Sequence, residues 1–262
     1  MARKTRVKGH SASRIGSGGG SVKNSGIPSV NRIAWFDAAS INPTTHNGTA
    51  IATLANLSET EPDAAQATVS FQPVYMSAGG PDSGPALIFD GTGDTLAADY
   101  GGANVSTDQV TVAGVWTRAS NIPNSTLAAL SDGDPRGNTA SAGYKWFQAE
   151  WRQNAINKSF MWSGDGTTSQ NSISAEADAT TDWRCDVATR DDTAYTWIKD
   201  GVALTMSTGG SDAAANAQYL YLGATFNSNL AGYIRTLCMW SRVLTAEERA
   251  RVDVRLRGIG GV

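Results

Sequence analysis

Histidine, cysteine and glutamate are scarce in this chain: two, two and six residues respectively among 262. Two cysteines, Cys185 and Cys238, make neither a disulfide framework nor a metal-binding spacing, so both are expected as buried thiols. His10 and His46 have no Ser or Asp arrangement around them that would build a nucleophilic triad. The glutamates (Glu59, Glu61, Glu150, Glu176, Glu247, Glu248) do not form the alternating acidic strand that sets two carboxylates about a glycosidic bond. The chain is therefore expected not to be an enzyme. Charged residues are only 17% of the whole, which argues against a coiled coil or helical bundle. No apolar run approaches the roughly 18 residues of a membrane span, so no membrane insertion is expected. The N-terminus is basic but has no apolar segment of the kind that makes a secretory signal.

What the chain does have is glycine (28), tryptophan (8) and many short apolar stretches between turn residues. Ile33 to Phe36, Val110 to Trp116, Thr126 to Leu130, Tyr144 to Asn154, Ser159 to Ser163, Trp183 to Ala188, Ala194 to Lys199, Tyr219 to Gly223 and Tyr233 to Trp240 all read as strands. Pro85 to Leu96 reads as a strand, a tight turn at Gly91 and Gly93, and a return strand, with Leu87 and Phe89 facing one way. Asp90 and Asp94 flank that turn as caps, with calcium as the competing use. Asp200-Gly201 is the tip of a hairpin. About ten to twelve strands at this spacing predict a β-sandwich.

Charge is unevenly spread. Residues 1–28 form an arm carrying Arg3, Lys4, Arg6, Lys8, Arg14 and Lys23 without one acid, and containing a linker-like Gly16 to Ser21. The arm is +6, and since the whole chain is −3, residues 29–262 carry −9. Such a segment cannot bury a core, and it suits docking into an assembly. No aromatic residue is interleaved with its charges, so base stacking and nucleic acid are disfavoured as its partner.

The end of the chain is the most specific stretch. Tyr233 to Trp240 is a strand; Thr245 then caps a helix whose third position is Glu248, and Val252, Leu256 and Ile259 recur at helical spacing. The run Gly232-x-Ile234-x-x-Leu237-x-Met239-Trp240-Ser241-Arg242-Val243-Leu244-Thr245-x-x-Glu248 resembles the closing strand and helix of concanavalin A-like, laminin-G-like jelly-roll domains. Ala34-Trp35-Phe36-Asp37-Ala38-Ala39 is similar to the opening strand of that family, and Gln72-Pro73 with Pro85 to Leu96 to its central turn. Tyr195 to Gly201 and Tyr219 to Gly223 resemble its later strands. Ser241 departs from the family's usual Asn. Arg235 and Thr236 stand where acidic residues are common, which puts any polar contact beside that strand in question.

The resemblance implies an all-β jelly-roll β-sandwich over residues 29–262, with a short C-terminal helix and the extended basic N-terminal arm before it. Domains of this type occur in tailed-phage virion proteins. The function expected first is a non-enzymatic virion structural protein: a capsid decoration, neck or tail-fibre component located in the virion, partnered by other virion proteins and copies of itself. The alternative is a carbohydrate-binding, lectin-like module for host surface glycans, with Trp151, Trp162 and Tyr195 as candidate contacts. A further alternative is a capsid protein whose arm binds the genome. No cofactor is expected beyond calcium, for which Asp132 and Asp134 are the candidate ligands in a loop lacking most of an EF-hand pattern.

Overall fold

The computed structural model describes residues 27–262 except 59, 102–104, 119–123, 133–144, 153–157, 166–168, 176–180, 211–215 and 225–228. The six basic arm residues and Asp134 lie outside the described residues. Twenty strands are described. The first eight are β1 (Arg32–Asp37), β2 (Thr49–Ala50), β3 (Thr53–Leu54), β4 (Ala64–Ala65), β5 (Val74–Met76), β6 (Ala86–Asp90), β7 (Leu96–Asp99) and β8 (Val105–Ser106). The middle of the chain supplies β9 (Gln109–Arg118), β10 (Asn124–Ser131), β11 (Lys145–Arg152), β12 (Lys158–Asp165) and β13 (Ser169–Ser174). Then follow β14 (Arg184–Asp191), β15 (Ala194–Lys199), β16 (Val202–Leu204), β17 (Met206–Gly210), β18 (Asn216–Ala217), β19 (Tyr219–Leu222) and β20 (Ala231–Trp240). One helical turn, α1 (Pro43–His46), sits early, and helix α2 (Ala246–Gly260) closes the chain.

Two nine-stranded antiparallel sheets face each other. The first runs β16-β15-β14-β9-β20-β6-β5-β2, with β1 also paired to β20. The second runs β17-β13-β12-β11-β10-β19-β7-β4-β3. This is the jelly-roll sandwich that the sequence predicts. The additional strands are short or polar, and they include β13 and β17 at one edge.

Alternation assigns the faces. Val112, Trp116, Ile234, Leu237 and Met239 of the first sheet meet Leu130, Phe147, Ala149, Met161 and Leu220 of the second in one buried core. The opposite face of the first sheet buries Trp35, Val115, Cys185, Val187, Cys238 and Trp240 beneath Leu244, Val252 and Leu256 of the C-terminal segment. Strand β9 is therefore covered on both sides, which explains its nearly continuous apolar run. Both cysteines are free, buried thiols. Ile27 is buried in the same layer, and the Pro28 carbonyl accepts a 2.8 Å bond from the Trp240 indole. Packing of the body thus begins two residues before position 29.

The closing motif has a physical reason for each of its residues. The Thr245 hydroxyl accepts from the Glu248 amide, and the Glu248 carboxylate accepts from the Thr245 amide, forming a capping box. Arg242 grips the same carboxylate with two bonds of 2.7 and 2.8 Å and donates to the Val30 carbonyl. Leu244 fills the layer under the helix. The polar contact left in question at Arg235 and Thr236 is present with reversed polarity: Arg235 pairs with the buried Asp37, and the Thr236 hydroxyl donates to the Phe36 carbonyl. The hairpin tip is confirmed, with Asp200 and Gly201 at φ 49° and 83°.

Candidate functional site

The second sheet has one face on the core, and among the described residues no helix packs on the other. Its pairing registers link into a single row that crosses all nine strands: Thr53, Ala65, Ala97, Tyr221, Ala129, Gln148, Trp162, Asn171 and Gly209. This row is out of phase with Leu130, Phe147, Ala149 and Met161, which fill the core, so it belongs to the outer face. Four of its positions are Ala or Gly. Tyr221 and Ala129, in the middle of the row, are buried, whereas Thr53, Ala65 and Gly209 towards its two ends are exposed. Asn171 is half-buried, and its Oδ1 lies 3.5 Å from where a Cβ on Gly209 would stand. The absent side chain at Gly209 leaves the amide open from the edge.

The neighbouring row on this face is Asp99, Tyr219, Ser131, Trp146 and Gly164. Here Gln218 locks an aromatic–polar group together. Its amide donates 3.0 Å bonds to Asp99 Oδ1 and to the Tyr219 hydroxyl. The Gln218 bond, with a second from the Gly101 amide, holds the Asp99 carboxyl below the usual range, so this exposed group stays ionised. The Tyr219 and Tyr221 rings lean on each other at 5.9 Å. Asp132, the candidate calcium ligand, directly follows Ser131, just past the end of β10. Among the described residues, no group of three or more His, Cys, Asp and Glu could hold a metal ion.

The three glycan candidates separate. Trp162 falls in the outer row, paired with Gln148 and Asn171. Position 151 is out of phase with that row: it pairs with Ser125 and Ser159, and the Ser159 hydroxyl accepts from Arg184 of the opposite sheet. Tyr195 is a correction. Its ring is buried between the sheets, where its hydroxyl donates to Gln170 Oε1 at 2.9 Å and meets Ser163 Oγ at 3.0 Å. A ring so enclosed offers no face to a sugar. The residues the sequence reading missed are Asn171, Gln218, Tyr219 and Gly209. Asn171 and Gly209 stand on strands without apolar alternation, so no local signal marks them.

In the turn between β6 and β7, Asp90 and Asp94 act as caps. Asp94 accepts from the Asp90 amide at 2.9 Å, and Asp90 accepts from the amide and hydroxyl of Thr92. Between the sheets, the Asp186 carboxylate accepts from the indoles of Trp116 and Trp197 and pairs with Arg184. Buried within the sandwich, that carboxylate ties aromatic rings together and is closed to a ligand. No helix among the described residues is long and apolar enough to cross a membrane.

No family model and no curated protein matches the chain. Solved structures do match, at identities that bear on fold alone. A sialidase of Trypanosoma rangeli, in complex with sialic acid, superposes with a TM-score of 0.58 at 13% identity, over 90% of this chain and 35% of that one. Domain 4 of the extracellular arabinanase AbnA of Geobacillus stearothermophilus, in complex with arabinotriose, gives 0.51 at 16% identity, over 85% and 98%. The ligand-binding domain of botulinum neurotoxin serotype D, in complex with N-acetylneuraminic acid, gives 0.54 at 10% identity, over 87% and 51%. The chain thus spans about a third of the sialidase chain and about half of the neurotoxin one.

Proposed function

We propose that this protein is a non-enzymatic carbohydrate-binding module whose ligand lies across the outer face of the second sheet. The observation that carries this reading is the outer row, whose register sets position 162 beside the half-buried Asn171 and the exposed Gly209 at the edge of the sheet. Sugars need that combination. Aromatic faces pack on their C–H surfaces, and amides and carboxylates pair with vicinal hydroxyls. The superposed proteins solved with sialic acid, N-acetylneuraminic acid and arabinotriose support the carbohydrate reading above the virion-assembly reading. The two readings are compatible in one particle-borne receptor-binding protein, with the basic arm as its docking element.

The test is a glycan array carrying sialylated glycans and arabino-oligosaccharides, followed by titration calorimetry with the strongest hit. Asn171→Ala removes one amide and is expected to weaken binding about three- to tenfold, the range of a net hydrogen bond. Gly209→Trp roofs Asn171 without straining the backbone and is expected to abolish binding at unchanged thermal midpoint. An array without a hit, or a Gly209→Trp protein that binds like the wild type, overturns the proposal.

A further inference from the structure

The half of the second sheet that carries Trp162 and Asn171 is backed by polar side chains. Ser159, Ser163, Gln170, Ser172 and Ser174 are all buried on β12 and β13. Such an inner face gains little from apolar packing, so something directional has to set the height of these two strands. Two groups of the first sheet reach across to do so. Arg184, held by Asp186, donates to Ser159 Oγ at 3.0 Å. The Tyr195 hydroxyl bonds Ser163 and Gln170 together.

The register makes Tyr195 the more informative of the two. Ser163 and Gln170 are a cross-strand pair, and the next pair along the same two strands is Trp162 with Asn171. One phenol therefore holds, from behind, the backbone positions immediately adjacent to this outer-row pair. The proton order is fixed as well: Tyr195 donates to the Gln170 carbonyl oxygen, leaving its own oxygen to accept from Ser163. The hydroxyl's described partners, Ser163 and Gln170, lie on β12 and β13.

We propose that Tyr195 is a positioning residue for glycan recognition, fixing the Trp162–Asn171 pair through Ser163 and Gln170. This rests on the carbohydrate reading above. Tyr195→Phe keeps the buried ring and removes only the hydroxyl. It is expected to weaken binding of the array's strongest oligosaccharide about three- to tenfold, the range of a lost net hydrogen bond. In an Asn171→Ala background the same change is expected to have almost no further effect, because the group being positioned is gone. A residue that merely stabilises the fold would weaken both backgrounds equally. Hydrogen exchange of the unliganded protein supplies a ligand-free readout: Tyr195→Phe is expected to accelerate exchange in residues 158–165 and 169–174 and leave β9 and β20 unchanged. Ser163→Ala, which removes one of the two bonds, is expected to give part of the same acceleration. Unaltered exchange in those strands, or additive losses of affinity in the double variant, overturns the assignment. If the wild type binds no glycan, the carbohydrate reading fails, and the exchange result decides alone whether Tyr195 fixes this strand pair.

Discussion

Burial lifts the Asp94 carboxyl to about 6; the hydrogen bond from the Asp90 amide opposes the rise and the Asp90 charge adds to it. The folded state therefore holds this proton more tightly than the unfolded chain, where the value is 3.8. Its contribution to stability is fully present below the unfolded value and is lost as pH rises through about 6. Urea denaturation of the wild type beside Asp94→Asn is expected to show the wild type gaining relative stability as pH falls from about 7 to about 4. A difference that stays flat over that window contradicts this account of the turn. The two acids were legible as turn caps because Asp90-Gly91-Thr92-Gly93-Asp94 is local chemistry. Tyr195 was not. A tyrosine on an alternating strand reads equally as a platform or as core, and what decides between them is a pair of partners on the other sheet, 25 and 32 residues away in sequence.

Among the elements, α2 shows how much a short motif can specify. Thr245 and Glu248 satisfy each other's amides, and Arg242 holds the Glu248 carboxyl down to about 2, with the Thr245 amide adding to the effect. Thr245→Ala is expected to cost about 1 kcal/mol, read as a shift of the denaturation midpoint at constant slope; no shift would remove the cap from the explanation of this motif. Gly260 is required by close approach, since a Cβ there would stand 2.6 Å from Val115 Cγ1. The helix, its cap and its stripe were all readable in advance because Val252 and Leu256 pack at helical spacing on an apolar layer. Strands β13 and β17 gave no such sign. SQNSIS and MSTGG show no apolar alternation; on β13 the inner face carries Gln170, which is bonded to Tyr195, with buried Ser172 and Ser174 beside it. The edge that completes the proposed site was hidden for the same reason that it needs positioning.

For the molecule as a whole, the fold was legible from its ends and its central turn, whereas the proposed ligand face emerged only from registers that join nine strands. The body carries −9 and the arm +6, so full-length copies are expected to associate at low salt and to separate as ionic strength shortens the Debye length to about 3 Å near 1 M. Removing residues 2–24 leaves the Ile27 and Pro28 anchors in place. The shortened chain is expected to match the full chain in stability within about 0.5 kcal/mol and to sediment as a single species at all salt concentrations. Salt-sensitive association that survives the truncation would place the contact elsewhere. The central claim is that sugar is held on the outer face of the second sheet, and amide chemical-shift mapping of the full chain during titration with the array's strongest oligosaccharide tests it most directly. The account predicts that the largest shifts fall on Ala97, Ala129, Asn171, Gly209, Gln218 and Tyr219. Shifts confined to α2 and the first sheet, or none at saturation, would contradict it.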